Sequence, residues 1–144
     1  MILPDTEDTD TAGFWAAARG GKLVLQRCDA CGQMRFPPHP YCAVCRALAS
    51  SWVQVSGRGR LWSHVIVHNP TLPAFADFVP FPVVVVELEE VPRLRMTGNV
   101  LDHATAAINS VDPRRLTIGM PLRVAFKKVS EEVTLPLWVR EGQS

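Results

Sequence analysis

The segment Cys28-Asp29-Ala30-Cys31-Gly32-Gln33-Met34-Arg35-Phe36-Pro37-Pro38-His39-Pro40-Tyr41-Cys42-Ala43-Val44-Cys45 holds all four cysteines of the chain. They form two Cys-x-x-Cys pairs with ten residues between them. Each pair makes a tight knuckle that aims two sulfurs at one centre, and four thiolates complete a tetrahedral zinc shell with no open position. Gly32 follows the first pair, where a left-handed backbone is useful. Residues 22–50 are therefore expected to be a ribbon around one structural Zn2+ ligated by Cys28, Cys31, Cys42 and Cys45. The same ligand set also accepts iron, and the alternatives of two disulfides or free core cysteines remain.

Before the ribbon, Thr11 to Gly21 reads as a short helix. Phe14, Trp15 and Ala18 share a face by their spacing, Thr11 is placed to cap the start, and Gly20-Gly21 to end it. So short a helix is unstable alone, so its Phe-Trp pair must pack on the chain or on a partner. Residues 1–10 carry Asp5, Glu7, Asp8 and Asp10 without a basic residue and are expected to be a disordered leader.

After the ribbon the pattern is β throughout. Val53, Val55 and Gly59 to His68 predict one or two long strands bent at Gly57-Arg58-Gly59. Four more strands are expected at Pro82–Glu89, Leu94–Val100, Leu122–Val129 and Val133–Val139. Residues 101–120 carry a weaker pattern, read as a short helix around Ala104–Ile108 and then a Pro113 turn. The fold class is mainly β: a short helix, the zinc ribbon, and a five-stranded OB-fold-like barrel over residues 51–144.

Composition narrows the function classes. The formal charge of the 144 residues is only +1, which favours neither nucleic acid nor an anionic membrane. No apolar run reaches the ~20 residues of a membrane span, and the acidic start is unlike a signal peptide. A cytoplasmic location is expected, where paired cysteines point to metal before disulfide.

The order of Phe14-Trp15, Leu25-Gln26-Arg27-Cys28, Cys31-Gly32, Phe36-Pro37-Pro38, Cys42, Cys45, Gly57-Arg58-Gly59, His68, Pro82-Val83-Val84, Gly119-Met120-Pro121 and Leu135-Pro136 resembles one family. It is the acyl-CoA-associated family with a rubredoxin-like zinc ribbon and an OB-fold, long described as a domain of unknown function. The resemblance spans about residues 14 to 140. Asp102 to Val111 departs from it, being longer than the usual connection before Asp112-Pro113. The resemblance implies a non-catalytic accessory subunit. Its partner would be a thiolase-fold enzyme: a thiolase, a lipid-transfer thiolase or a steroid side-chain retro-aldolase acting on acyl-CoA. A hotdog-fold hydratase is a further implied partner. It brings no catalytic residue.

Beyond the metal ligands, the residues themselves suggest two surfaces. Phe14 and Trp15, with Phe75, Phe78 and Phe81 of the proline-rich loop from Pro70 to Pro82, are candidate partner contacts; the alternative for the loop is a plug in the barrel mouth. Arg27, Arg35, Arg46 and His68 are candidate contacts to CoA phosphates, because a guanidinium binds phosphate in a fork. The arginines could equally balance the zinc thiolates. His64 and His68 are expected on one face with Trp62 and Ile66. Two rival functions are a single-stranded nucleic-acid binder and an acyl-CoA enzyme in its own right. The first lacks a basic groove: after Ser51 there are ten basic residues against nine acidic. The second lacks a nucleophile–base pair, a phosphate loop and a free cysteine.

Overall fold

The structure, a computed structural model, describes residues 2–69 and 72–142. Pro70 and Thr71, which open the phenylalanine loop, lie outside the described residues, as do Met1, Gln143 and Ser144.

Helix α1 spans Ala12–Arg19. Thr11 sits at its N-cap but makes no side-chain cap hydrogen bond. The start is held instead by the Asp8 carbonyl, which accepts from Thr11 and Ala12 N–H. Gly21 ends the helix at φ +74°, while the N–H groups of Gly21 and Lys22 return to the carbonyls of Ala18 and Ala17. The helix packs on its own chain. Phe14 is only 6% exposed, and its ring meets Trp15 edge-on at 5.1 Å and Phe36 at 5.8 Å.

Strand β1 (Leu23–Cys28) is the centre of a three-stranded antiparallel sheet, between β2 (Met34–Arg35) and β3 (Ser50–Val55). Val53 and Val55, expected among the strands after the ribbon, lie in β3. β3 pairs along its length with β1, from Leu23↔Val55 to Cys28↔Ser50, and so belongs to the ribbon sheet. Apolar alternation marks Val53 and Val55 as strand but cannot say which strand they pair with.

Five further strands close a barrel in the order β4-β5-β6-β8-β7: β4 (Arg58–Val67), β5 (Phe81–Leu88), β6 (Arg95–Leu101), β7 (Pro121–Lys128) and β8 (Thr134–Arg140). The β6–β8 pair is parallel and the other pairs are antiparallel, the OB arrangement. The expected helix around Ala104–Ile108 is not formed. That segment is a run of turns, and Ala106 and Ile108 pack on Leu101, Leu137 and Val139. Only the second half of the prediction holds, as a 3-10 turn at Pro113–Arg115 whose start Asp112 caps through the Arg114 N–H.

The glycines at the bend permit close approach. Gly57 has φ +78° and its carbonyl accepts from Val124; a methyl placed on Gly59 would lie 2.3 Å from the Glu87 carbonyl oxygen. Gly59 pairs with Leu88 on one side and Leu122 on the other, so β4 closes the barrel there. The β-bulge lies further on, between Leu61 and Ser63. It shifts the alternation: His64 pairs with the buried Val84, while Trp62 stays exposed with the Arg95 guanidinium 3.9 Å above its ring. The expected shared face of Trp62 and His64 is therefore broken. His64 turns to the barrel interior, where its Nδ1 is buried without a partner among the described residues.

One core cluster joins the two units. It runs from Phe14, Leu23, Leu25 and Val55 to Leu61, Val84, Leu88 and Trp138.

Candidate metal centre

The two knuckles use one hydrogen-bond pattern twice. Cys28 N–H donates to the Gln33 carbonyl and the Gly32 N–H to the Cys28 carbonyl; Cys42 N–H donates to Ala47 and the Arg46 N–H to Cys42, all at 2.8–3.0 Å. Each knuckle needs one left-handed residue. Glycine supplies it at Gly32 (φ +76°), and Arg46 adopts it at φ +66°. The four sulfurs lie within 4.8 Å of one another, with Cys28 to Cys45 at 3.5 Å and Cys31 to Cys42 at 3.6 Å. Zinc–sulfur bonds of about 2.3 Å put the edges of a tetrahedron near 3.8 Å. The arrangement fits a single tetrahedral ion. Cysteines 28 and 42 are buried, and 31 and 45 face outward.

Electrostatics argue for a cation. Backbone N–H groups of Cys45 and Val44 lower the Cys42 thiol to about 6. The N–H of Cys31, with smaller help from Ala30, lowers Cys28. At Cys31 the N–H of Gln33 pulls the same way, but burial and the surrounding sulfurs outweigh it and push the thiol up to about 11. Four sulfurs this close ionise together only around a positive ion.

The other candidate residues do not converge. Arg35 is buried: its Nε donates to Gln26 Oε1 at 2.9 Å and its Nη2 to the His39 carbonyl at 2.9 Å. It fastens the inter-knuckle loop through Gln26 and His39 rather than facing solvent, and its Nη1 is buried with no hydrogen-bond partner among the described residues. Arg27 is exposed over Gly32 and lines a depression of about 470 Å³ with Cys28, Cys31 and Ser51. Arg46 lines a separate one with Tyr41, Ala43 and Leu48. His68 is exposed just past the end of β4. Of the aromatic set, Phe14 and Phe81 are buried, Trp15 and Phe75 half-buried, and Phe78 is 39% exposed. Phe75 leans on Phe81 at 5.8 Å.

Sequence reasoning missed the apolar tip of the second knuckle, where Tyr41, Val44 (66%) and Leu48 (77%) stand out. The signal was present: a module of this size has no interior to receive them. It also missed Arg93, which lines a depression of about 370 Å³ with Arg35, Phe36 and Tyr41 and donates to the Met34 carbonyl. No local pattern links a barrel turn to β2.

Fold and site together define a zinc-ribbon and OB-fold protein with a structural metal centre. The model for the ChsH2 rubredoxin-like zinc ribbon domain matches residues 15–49, and that for the ChsH2 C-terminal OB-fold domain matches residues 52–127. The chain belongs to the ChsH2 family. Over 129 residues it is 35% identical to a Thermomonospora curvata protein named "Probable enoyl-CoA hydratase alpha subunit". Over 126 residues it is 37% identical to the 3-oxo-4,17-pregnadiene-20-carboxyl-CoA hydratase alpha subunit of Mycobacterium tuberculosis. The chain spans only 37% and 36% of the length of these two relatives. A DUF35 domain-containing scaffold protein of Methanothermobacter thermautotrophicus is 34% identical, with 86% of each chain covered. Among solved structures, a chain of an Ltp2-ChsH2(DUF35) aldolase superposes with a TM-score of 0.78 at 31% identity, covering 95% of this chain and 98% of that one. No described helix is long and apolar enough to cross a membrane.

Proposed function

We propose that this chain is a non-catalytic accessory subunit that binds and supports a thiolase-fold enzyme acting on acyl-CoA thioesters, such as a steroid side-chain retro-aldolase. The observation that carries this reading is the end-to-end likeness to a chain of the Ltp2-ChsH2(DUF35) aldolase. The scaffold name of the archaeal relative points the same way. A second reading, support of a hydratase, rests on the two hydratase alpha subunits, in which a segment like this chain makes up about a third of the protein.

The site chemistry agrees with a supporting role. All four cysteines surround one metal position, which leaves neither a thiol nucleophile nor an open coordination site. Trp15, Phe75 and Phe78 are proposed to meet the enzyme, since apolar side chains left at the surface commonly mark contacts. Arg27, Arg46 and His68 are proposed to approach CoA phosphates, whereas Phe14, Phe81 and Arg35 support these residues from within. In this role the chain orders the loops of its partner and adds no chemistry of its own.

The test is co-purification with a thiolase-fold acyl-CoA enzyme from the same source, followed by thioester turnover with and without this chain. The expected result is a stable complex, turnover that depends on the chain, and weaker association for Trp15→Ala and Phe78→Ala. Full activity of the enzyme alone, or turnover by this chain alone, overturns the reading.

A further inference from the structure

The barrel closes on itself, but the ribbon sheet does not, and its two edges differ. At the β2 edge the outward carbonyl of Met34 accepts from the Arg93 guanidinium. That edge is two residues long and already occupied. The β3 edge is six residues long. The Asp29 N–H donates to the Ala49 carbonyl, which fixes the phase of the ladder: Ser51, Val53 and Val55 spend their backbone groups on β1. The N–H and C=O of Ser50, Trp52 and Gln54 therefore point away from β1, and they have no partner among the described residues.

Natural edge strands are blunted by Lys, Pro, bulges or inward charges. Ser50-Ser51-Trp52-Val53-Gln54-Val55 has none of these and pairs with β1 without a register shift. Donors and acceptors alternating along an extended edge are matched by another extended backbone. The strand is also complementary to itself. It carries no charge, so a second copy running antiparallel brings no like charges together.

We infer that β3 pairs with β3 of a second copy across a twofold axis through Trp52, joining two ribbon sheets into one six-stranded sheet. In this register Trp52 faces Trp52 of the second copy, and Ser50 faces Gln54. Every outward N–H then meets an outward C=O, an isologous contact that closes as a dimer. Trp52 is 37% exposed and its indole is seated on Gly13, where a methyl would lie 2.1 Å from Nε1. The helix thus holds each indole at the axis from behind. This pairing is independent of the enzyme partner proposed above.

The test uses the full zinc-loaded chain. Sedimentation from low to high micromolar concentration should show a monomer–dimer equilibrium. In the dimer the amides of Ser50, Trp52 and Gln54 should exchange slowly with deuterium. Gln54→Pro removes an outward donor and no bond to β1, so it should weaken self-association by at least about tenfold with zinc content unchanged. A monomer at every concentration overturns the inference. So does a dimer in which those three amides still exchange as fast as exposed coil, a result that needs no variant.

Discussion

Between Asp29 and Ala49 only Arg35 and Cys42 are buried, whereas the barrel strands bury Leu61, Val84, Val86, Leu88, Val100, Leu122, Trp138 and Val139. The knuckles are shaped by repeated backbone hydrogen bonds and by four sulfurs around one point; the barrel is shaped by side chains excluding water. The first kind of order depends on a single ion. The second is spread over many contacts, each fully buried aliphatic side chain contributing about 1.5–3 kcal/mol. The two meet in β1, whose Leu23 and Leu25 face the common core while Cys28 begins the metal site. A chain built this way should lose its knuckles and its barrel under different conditions.

The largest effect should follow removal of the metal or the change Cys42→Ser. Structural zinc in small ribbons contributes on the order of 10 kcal/mol of apparent binding free energy, all of it tied to folding. Elemental analysis should find one zinc per wild-type chain. After chelation, amides of residues 29–49 should exchange freely while those of β5 stay protected. Simultaneous loss of β5 protection would dissolve the distinction between the regions. Acid should act in the same order, because protons compete with zinc for thiolates before they disturb an apolar core.

Trp138→Ala attacks the other side. Trp138 is fully enclosed and presses on Gly98, so truncation should cost about 3–5 kcal/mol in denaturant unfolding. Zinc content should remain at one per chain if the knuckles are autonomous.

Gly59→Ala should cost less, about 1–3 kcal/mol, because a methyl there drives into the Glu87 carbonyl and must push β5 aside. Thermal melting would read it, and an unchanged melting temperature would mean that β4 closes the barrel less tightly than its pairing implies.

The smallest effect belongs to Asp112. The Arg114 side chain and N–H hold its carboxyl at about 2, below the usual 3.8. A lowered carboxyl pKa contributes stability above the ordinary value, and that contribution is lost as pH falls from about 4 towards 2. The pair is exposed, so solvent screens it. Asp112→Asn should flatten that part of the acid limb and lower stability at neutral pH only slightly, since solvent screens the pair it removes; a loss comparable to that of Trp138→Ala would refute the assignment.

Much of this was legible in the chain. The four metal ligands, the helix ending at Gly20-Gly21 and five barrel strands within a residue or two could all be named from spacing and alternation. These features are local, since each depends on residues a few positions apart. The outcomes that differed were long-range. Val53 and Val55 read as strand, but only pairing with β1 assigns them to the ribbon. His64 and Trp62 alternate correctly in sequence, but a bulge in the pairing of β4 with β5 separates them. Arg35 looked like a free cation, yet Gln26 and His39 enclose it.

The sequence by itself determined the four cysteines that can hold a metal and the number of barrel strands, because spacing and residue type carry that information. Tertiary structure alone decided which strand lies at an edge, which arginines and aromatics remain at the surface, and where the barrel closes. Those depend on which distant backbone each residue meets, and no short-range pattern encodes that meeting.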